Sequence, residues 1–281
     1  MGLSQLLPEA MRQEWTPEEI EASIQHLTEG EKDRLRGLLT KKYWDGIDAK
    51  CSKRVVSHAE GFMYFLRNHT KTENYHAERQ GVQPREPFPY RPYSPAELAG
   101  YDIPPERMDW DYLDWTMWKM LDSYEKGYNV YLPKSRELIT SWLTVAYIFC
   151  QCQFYPAIEA VGQSESDRKA QGLVKYANIL YDNQDDELKA RHPLKRGSGG
   201  QLHKIEWANG SSFTALPQGE RQTASSHPTI FFNDESAHQA GWKSTINVVK
   251  PVAKQILCVS SAAYSEFGFH CEPTFDGGLG L

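Results

Sequence analysis

Two short runs in the second half of the chain, TIFFNDES (residues 229–236) and QILCVSS (255–261), are apolar without alternation. A strand with one face in water alternates, so these two read as strands buried on both faces. A parallel sheet clad in helices provides such positions. The segments between them agree. YNVYLP (128–133) reads as a strand, residues 139–154 as a helix and PAIEAVG (156–162) as a strand. Residues 166–181 form a further helix, with Ala170, Leu173, Val174, Ala177 and Leu180 on its apolar side. LHKIEWANGSSFTAL reads as a hairpin with Asn209-Gly210 as its two-residue turn, and residues 242–254 as a helix. The order predicts an α/β fold with a mainly parallel sheet flanked by helices.

The first part of the chain has a different character. Residues 1–68 read as a helical N-terminal region. Thr16-Pro17-Glu18-Glu19 carries an N-cap, a proline at the first helical position and the glutamate of a capping box. Thr28-Glu29-Gly30-Glu31 repeats the box before Leu35, Leu38 and Leu39, which are spaced for one helix face, and residues 53–68 form a third helical stretch. Residues 69–109 make an irregular, proline-rich connection, and a Trp- and Met-rich helix is expected over 110–124 at the start of the core, residues 110–270. Residues 271–281 read as a tail or the start of a linker.

At 281 residues the chain has room for one large domain or two modest ones, and 40% apolar with 24% charged residues excludes wholesale disorder. A net charge of -6 argues against a basic nucleic-acid coat while leaving room for a local basic track. The five cysteines have neither disulfide nor zinc spacing, and Cys150 and Cys152 point to different faces of one helix, so buried free thiols are expected. With no signal-peptide pattern and no apolar run near ~20 residues, the expectation is a soluble, intracellular protein with no membrane role.

The chemistry lies at two strand ends. Asp234 and Glu235 fall at the C-terminal lip of a central strand, where open α/β sheets bind ligands. In a phosphate-loop ATPase an Asp here holds Mg²⁺ and the adjacent Glu polarises the attacking water. The stretch YLPKSRELITSW (131–142) stands where the phosphate loop would, though it departs from G-x-x-x-x-G-K-[ST]. With Ser141 as the terminal hydroxyl, Lys134 occupies the first glycine position, Ile139 the second, and Thr140 the place of the lysine. The long stem of Lys134 permits it to reach phosphates from the front of the loop. Arg136 adds a second cation, and the following helix presents its first N–H groups to an anion. A loop between strand and helix, then about 90 residues with further strands, then a strand ending Asp-Glu and one ending Ser260-Ser261, is the layout of a phosphate-loop motor.

These residues resemble the large terminase subunits of tailed bacteriophages, the ATPase motors that package viral DNA. LPKSRELITSWL is similar to the variant Walker A in which the lysine moves to the front. AIEAVGQSESDRKAQGLVKYANILYDN resembles the strand and helix that follow. WANGSSFTALPQGERQTASSHPTIFFNDESA resembles the N-G-S turn, arginine-bearing loop and Walker B, and ILCVSSAAYSEFGFH the coupling motif. FLRNHTKTENYH and PREPFP are similar to the lead-in of part of the family. The resemblance runs over about residues 62–268. It implies a phosphate-loop NTPase fold of the additional-strand, catalytic-glutamate type, with ATP as substrate and Mg²⁺ as cofactor.

The resemblance implies roles residue by residue. The ATP-binding loop would be Lys134, Ser135, Arg136, Glu137, Leu138, Ile139, Thr140 and Ser141, with Ser141 and Asp234 on Mg²⁺. Glu235 would orient water, Arg221 would act as an arginine finger toward a neighbouring subunit, and Ser260 and Ser261 would couple hydrolysis to motion. Implied partners are double-stranded DNA, the portal protein and the small terminase subunit, in a homo-oligomeric ring when packaging and as a monomer in isolation. The implied location is the host cytoplasm, on the procapsid. Ile139 stands where most versions keep glycine and resists φ > 0. Either the loop runs through it in ordinary helical geometry or it holds nucleotide less tightly. The nuclease domain that normally follows is expected to be absent, since TFDGGLGL holds one Asp and two-metal chemistry needs more. His69, His76 and His238 read as surface or polar-network residues rather than zinc ligands. The alternatives are another phosphate-loop translocase or helicase, and a nucleotide-binding module with a non-hydrolysing loop.

Overall fold

The strand β7 (Ile230–Asp234) is buried along its whole length, as is β8 (Gln255–Ser261), in line with their unalternated apolar runs. The computed structural model describes residues 17–52, 65–66, 68–70, 72–73, 85–86, 128–134, 140–219, 226–261 and 263–275. Thr16, most of the stretch expected as a third helix, most of the proline-rich connection, the helix expected over 110–124, loop residues 135–139, Arg221 and the tail from 276 lie outside them. Residues 1–53 and 54–281 form two units.

In the first unit α1 (Pro17–Ile24) opens on its proline, whose missing N–H is no loss at the first helical position. α2 (Glu29–Cys51) begins with the expected capping box. The Thr28 amide and hydroxyl both donate to Glu31 Oε2, at 3.2 and 2.6 Å. Its buried face is Leu35, Leu39, Ile47 and Cys51. Leu38 is 40% exposed, contrary to the expectation from spacing, because it lies one 100° step from Leu39 and off that stripe.

The second unit is built on a six-stranded sheet. β3 (Val130–Lys134), β4 (Glu159–Ser164), β6 (Ser212–Pro217), β7 and β8 run parallel; β5 (Lys204–Glu206) is the antiparallel edge. Their order across the sheet is β3–β8–β7–β4–β6–β5. β8, last in the chain, is inserted between β3 and β7. That additional strand is the feature expected of the fold class. A separate two-residue antiparallel ladder pairs β1 (Thr72–Glu73) with β2 (Arg85–Glu86).

Helices cover the sheet. In α3 (Thr140–Phe154) 13 residues are buried, which suits a helix apolar nearly all round. α4 (Asp167–Asp182) is amphipathic, its N-terminal Lys169 amide donates to Ser166 Oγ, and the five apolar residues read from sequence are all buried. The short α5 (Asp186–Arg191) follows. α6 (Trp242–Val249) stops five residues short of the expected 254: Lys250 still has helical geometry and donates to Ile246 O, but Pro251 has no N–H to carry the ladder further. After β8 comes α7 (Glu266–Phe275). Trp242, Ile246, Val249, Phe231, Ile256, Cys258 and Phe267 share one core cluster, each such side chain contributing roughly 1.5–3 kcal/mol on burial. All five cysteines are buried, and none is in a disulfide.

The β5–β6 turn differs from the two-residue form. Gly210 N donates to Trp207 O and Trp207 N donates to Ser211 O, so Ala208, Asn209 and Gly210 form a three-residue loop. Gly210 takes φ 87°, the left-handed position of a type I turn with a bulge. Asn209 Nδ2 reaches the Cys152, Gln153 and Tyr155 carbonyls at 2.9, 3.1 and 3.3 Å. It thereby caps carbonyls at the end of α3, where Tyr155 O also accepts from Ser211 Oγ at 2.7 Å.

Candidate active site

Four parallel strands end side by side and deliver the polar groups. Lys134 ends β3 in register with Ser261, which ends β8; Asp234 ends β7 in register with Val259, and Ser164 ends β4. The carboxyl edge of such a sheet is where its ligands bind. Immediately beyond β7 the chain reverses. Glu235 takes φ 52°, ψ 46°, left-handed for a non-glycine residue, before a 3₁₀ turn over Ser236–His238. That conformation costs on the order of 1–2 kcal/mol. Ser236 Oγ donates to Asn233 O at 2.9 Å and His238 N to Glu235 O at 2.9 Å, which holds the reversal.

Asp234 is 6% exposed. Ser141, on the first turn of α3, donates to Asp234 Oδ1 at 2.6 Å, and Ser164 donates to Oδ2 at 3.3 Å. Burial pushes the carboxyl up to about 6, with Glu235 adding to the rise, while the Ser141 and Ser164 hydroxyls and the Lys134 charge pull it down. A buried carboxylate fixed by two hydroxyls is a set of hard oxygen ligands facing a helix N-terminus. Mg²⁺ takes one or two carboxylates together with substrate phosphates rather than an all-protein cage. Ser141 and Asp234 fit that ion. Among the described residues no group of three or more His, Cys, Asp or Glu is placed to hold a metal by itself.

Glu235 has different company. Lys134 Nζ lies 3.6 Å from its Oε1, with the lysine side chain only 8% exposed. Its Oε2 accepts from Ser261 N at 3.3 Å and Ser261 Oγ at 3.1 Å, with Ser260 Oγ at 3.4 Å. His238 Nε2 is 3.1 Å from Ser261 Oγ and 3.8 Å from Glu235 Oε2. Burial raises the Glu235 carboxyl, but Lys134 and the two Ser261 donors outweigh it and hold the group below the usual range. Two adjacent carboxyls are thus pushed in opposite directions.

Of the residues read from sequence, Lys134, Ser141, Asp234, Glu235, Ser260 and Ser261 come together at this edge. Thr140 is buried at the start of α3, its hydroxyl without a partner among the described residues. Ser135, Arg136, Glu137, Leu138, Ile139 and Arg221 lie outside the described residues. His238 contacts Ser261 and Glu235, His69 pairs with Asp185 at 2.7 Å, and His76 lies outside the described residues. Ser164 was missed; the signal available was a small hydroxyl closing a buried strand, as Ser260 and Ser261 close theirs.

No family model and no curated protein matches the chain. Among solved structures it is similar to the large terminase of HK97 bacteriophage at 11% identity and TM-score 0.48, over 79% of this chain and 43% of that one. The ATPase domain of the large terminase of Thermus phage P74-26 aligns at 8% identity and TM-score 0.36, over 49% and 61%. The large terminase of a further, thermophilic bacteriophage aligns at 12% identity and TM-score 0.35, over 53% and 38%. The chain spans less than half the length of the HK97 protein and of this last one. Identities this low carry no residue roles from one chain to another.

Proposed function

We propose that the chain is an ATP-hydrolysing motor domain of the kind found in viral large terminases, driving double-stranded DNA into a procapsid. The observation that carries the ATPase reading is the pairing at one sheet edge of Ser141 with Asp234 and of Lys134 with Glu235. The terminase reading adds the resemblance of the motifs around these residues.

Each side chain has a role consistent with its surroundings. Ser141 and Asp234 would hold Mg²⁺, which supplies charge neutralisation on the phosphate oxygens. Lys134, entering from the end of β3, binds a phosphate oxygen of ATP. In doing so it exchanges one anionic partner, Glu235, for another. Glu235 is ionised at neutral pH and accepts a hydrogen bond from the attacking water, orienting it. Ser261 and Ser260 hold the far oxygen of the same carboxylate, so a shift of β8 is felt at Glu235. Arg221 is assigned as a finger toward a neighbouring subunit of a ring. Portal and small-subunit contacts and the transient location on the procapsid in the host cytoplasm belong to the same proposal. No helix among the described residues is long and apolar enough to cross a membrane.

The test is steady-state ATPase at high protein concentration with DNA and Mg²⁺, comparing wild type with Glu235→Gln and Lys134→Ala. Wild type is expected to exceed both by about 10²-fold or more. Equal background rates in all three would remove the enzyme and leave a nucleotide-binding module. Strand separation by the wild type would redirect the proposal to a helicase.

A further inference from the structure

Behind the two carboxylates lies a closed set of three amide side chains that no part of the ATP site requires. Gln163 is on β4, Asn233 on β7 beside it in register, and Gln239 just past the 3₁₀ turn; all three are buried. Every amide N–H among them is used. Gln163 Nε2 donates to Pro217 O at 3.3 Å and Gly219 O at 3.2 Å. Asn233 Nδ2 donates to Gln163 Oε1 at 3.1 Å and Gln239 Oε1 at 3.0 Å. Gln239 Nε2 donates to Gln163 O at 3.3 Å and Asp234 O at 2.6 Å.

We propose that Gln163, Asn233 and Gln239 are positioning residues that fix the Asp234–Glu235 reversal and tie it to the end of β6. The proposal rests on the ATPase reading for its kinetic consequence. Three features support it. The six donors leave each amide with one orientation, so the set acts as a rigid spacer rather than a loose polar cluster. Its shortest bond is to the carbonyl of Asp234, the peptide that joins the two acidic residues and leads into the left-handed Glu235. Finally, Asn233 Oδ1 is buried without a partner among the described residues. An arrangement serving stability alone would not leave that acceptor unpaired, since apolar side chains of the same shape carry no such cost.

The other end of the spacer has a consequence too. Gln163 grips the carbonyls of Pro217 and Gly219, and Gln218 Oε1 between them accepts from Ala240 N at 2.9 Å, next to Gln239. The chain leaving β6 and the chain leaving β7 are therefore clamped to each other twice. A displacement of the β6 end reaches Glu235 through Gln163, Asn233 and Gln239 without passing through bound nucleotide.

The experiment uses the full chain. Gln239→Leu removes both donors at nearly constant volume. It is expected to lower kcat for Mg·ATP by about 10- to 100-fold while KM and the affinity for a fluorescent ADP analogue stay within about threefold. Gln163→Met, farther from the acids, is expected to cost less, about three- to tenfold in kcat, and is the variant to use if Gln239→Leu does not fold. Unchanged kcat in a folded variant overturns the proposal, as does a parallel loss of nucleotide affinity and kcat. A structure of the variant gives a readout independent of activity. Glu235 leaving φ near 52° supports the positioning role, and Glu235 unmoved overturns it. Absence of ATPase in the wild type would defeat the ATPase reading alone, and the variant structure would still decide whether the triad sets the reversal.

Discussion

Ser141 Oγ donates to Asp234 Oδ1 at 2.6 Å, joining the first turn of α3 to the end of β7 across 93 positions of sequence. This bond keeps a buried carboxylate partly compensated and turns it toward the helix N-terminus. Ser141→Ala removes both the compensation and one oxygen ligand. Mg²⁺-dependent binding of a fluorescent ADP analogue is expected to weaken about tenfold, while binding without Mg²⁺ changes little. Equal weakening in both conditions would mean that Ser141 serves the fold rather than the ion.

Lys134 and Glu235 predict a pH effect. The ammonium is the foremost group holding the Glu235 carboxyl low, ahead of Ser261 and His238. In Lys134→Met that support is gone and burial acts against fewer opposing groups. The acid limb of the kcat/KM profile, which reports the free enzyme, should therefore move to higher pH, in addition to a drop of about 10²-fold in the plateau. A profile shifted toward acid, or one of unchanged shape, would show that the lysine does not tune Glu235.

The parts legible from sequence are those set by local pattern. The unalternated run before Asp234 makes a central strand, and a strand ending in acids places them at the ligand edge; Lys134 follows from the same logic at the end of β3. Gln163, Ser164 and Gln239 were not legible. Their roles arise because β4 lies next to β7, and strand order is a property of the whole sheet rather than of any segment. The Asn209-Gly210 turn falls between these cases. Asn-Gly announces a reversal in both the two-residue and the bulged three-residue loop, and the α3 carbonyls that select between them are more than fifty positions away. Leu38 and the end of α6 are smaller lessons of the same kind: spacing gives a face its direction but not its width, and Pro251 stops a helix whose polar and apolar periodicity would continue.

Asn209 separates structural from catalytic importance within the motifs that resemble the terminases. Asn209→Ala uncaps the end of α3 and is expected to lower stability by about 1–3 kcal/mol. Gly210→Ala, at φ 87°, should cost about 1–2 kcal/mol. Both should leave kcat and KM near wild type at a temperature where they remain folded. Urea unfolding alongside ATPase assays reads this out. Loss of activity without loss of stability would place the turn in the chemistry instead.

Asp234 gives the prediction with opposite signs for stability and function. Its folded-state value of about 6 lies above the ordinary carboxyl value of ~3.9, and the main cause is burial. A carboxyl raised in this way favours the folded state only while protonated. Its contribution is complete below about pH 4 and is lost as pH rises through about 6, where folding must carry a buried charge. Asp234→Asn keeps an acceptor for Ser141 and has no charge to bury. The variant is therefore expected to be more stable than wild type above about pH 6, by about 1–3 kcal/mol without Mg²⁺, and the difference should vanish near pH 4. Added Mg²⁺ and nucleotide should narrow the gap by stabilising wild type alone. ATPase of the variant should fall to background, since the carboxylate that would hold the ion is gone. Urea unfolding at pH 4 and 7.5, with and without Mg²⁺ and nucleotide, checks the stabilities, and an ATPase assay checks the activity. A variant less stable than wild type at pH 7.5 in the absence of the ion would show that hydrogen bonding, not burial of charge, governs this carboxylate.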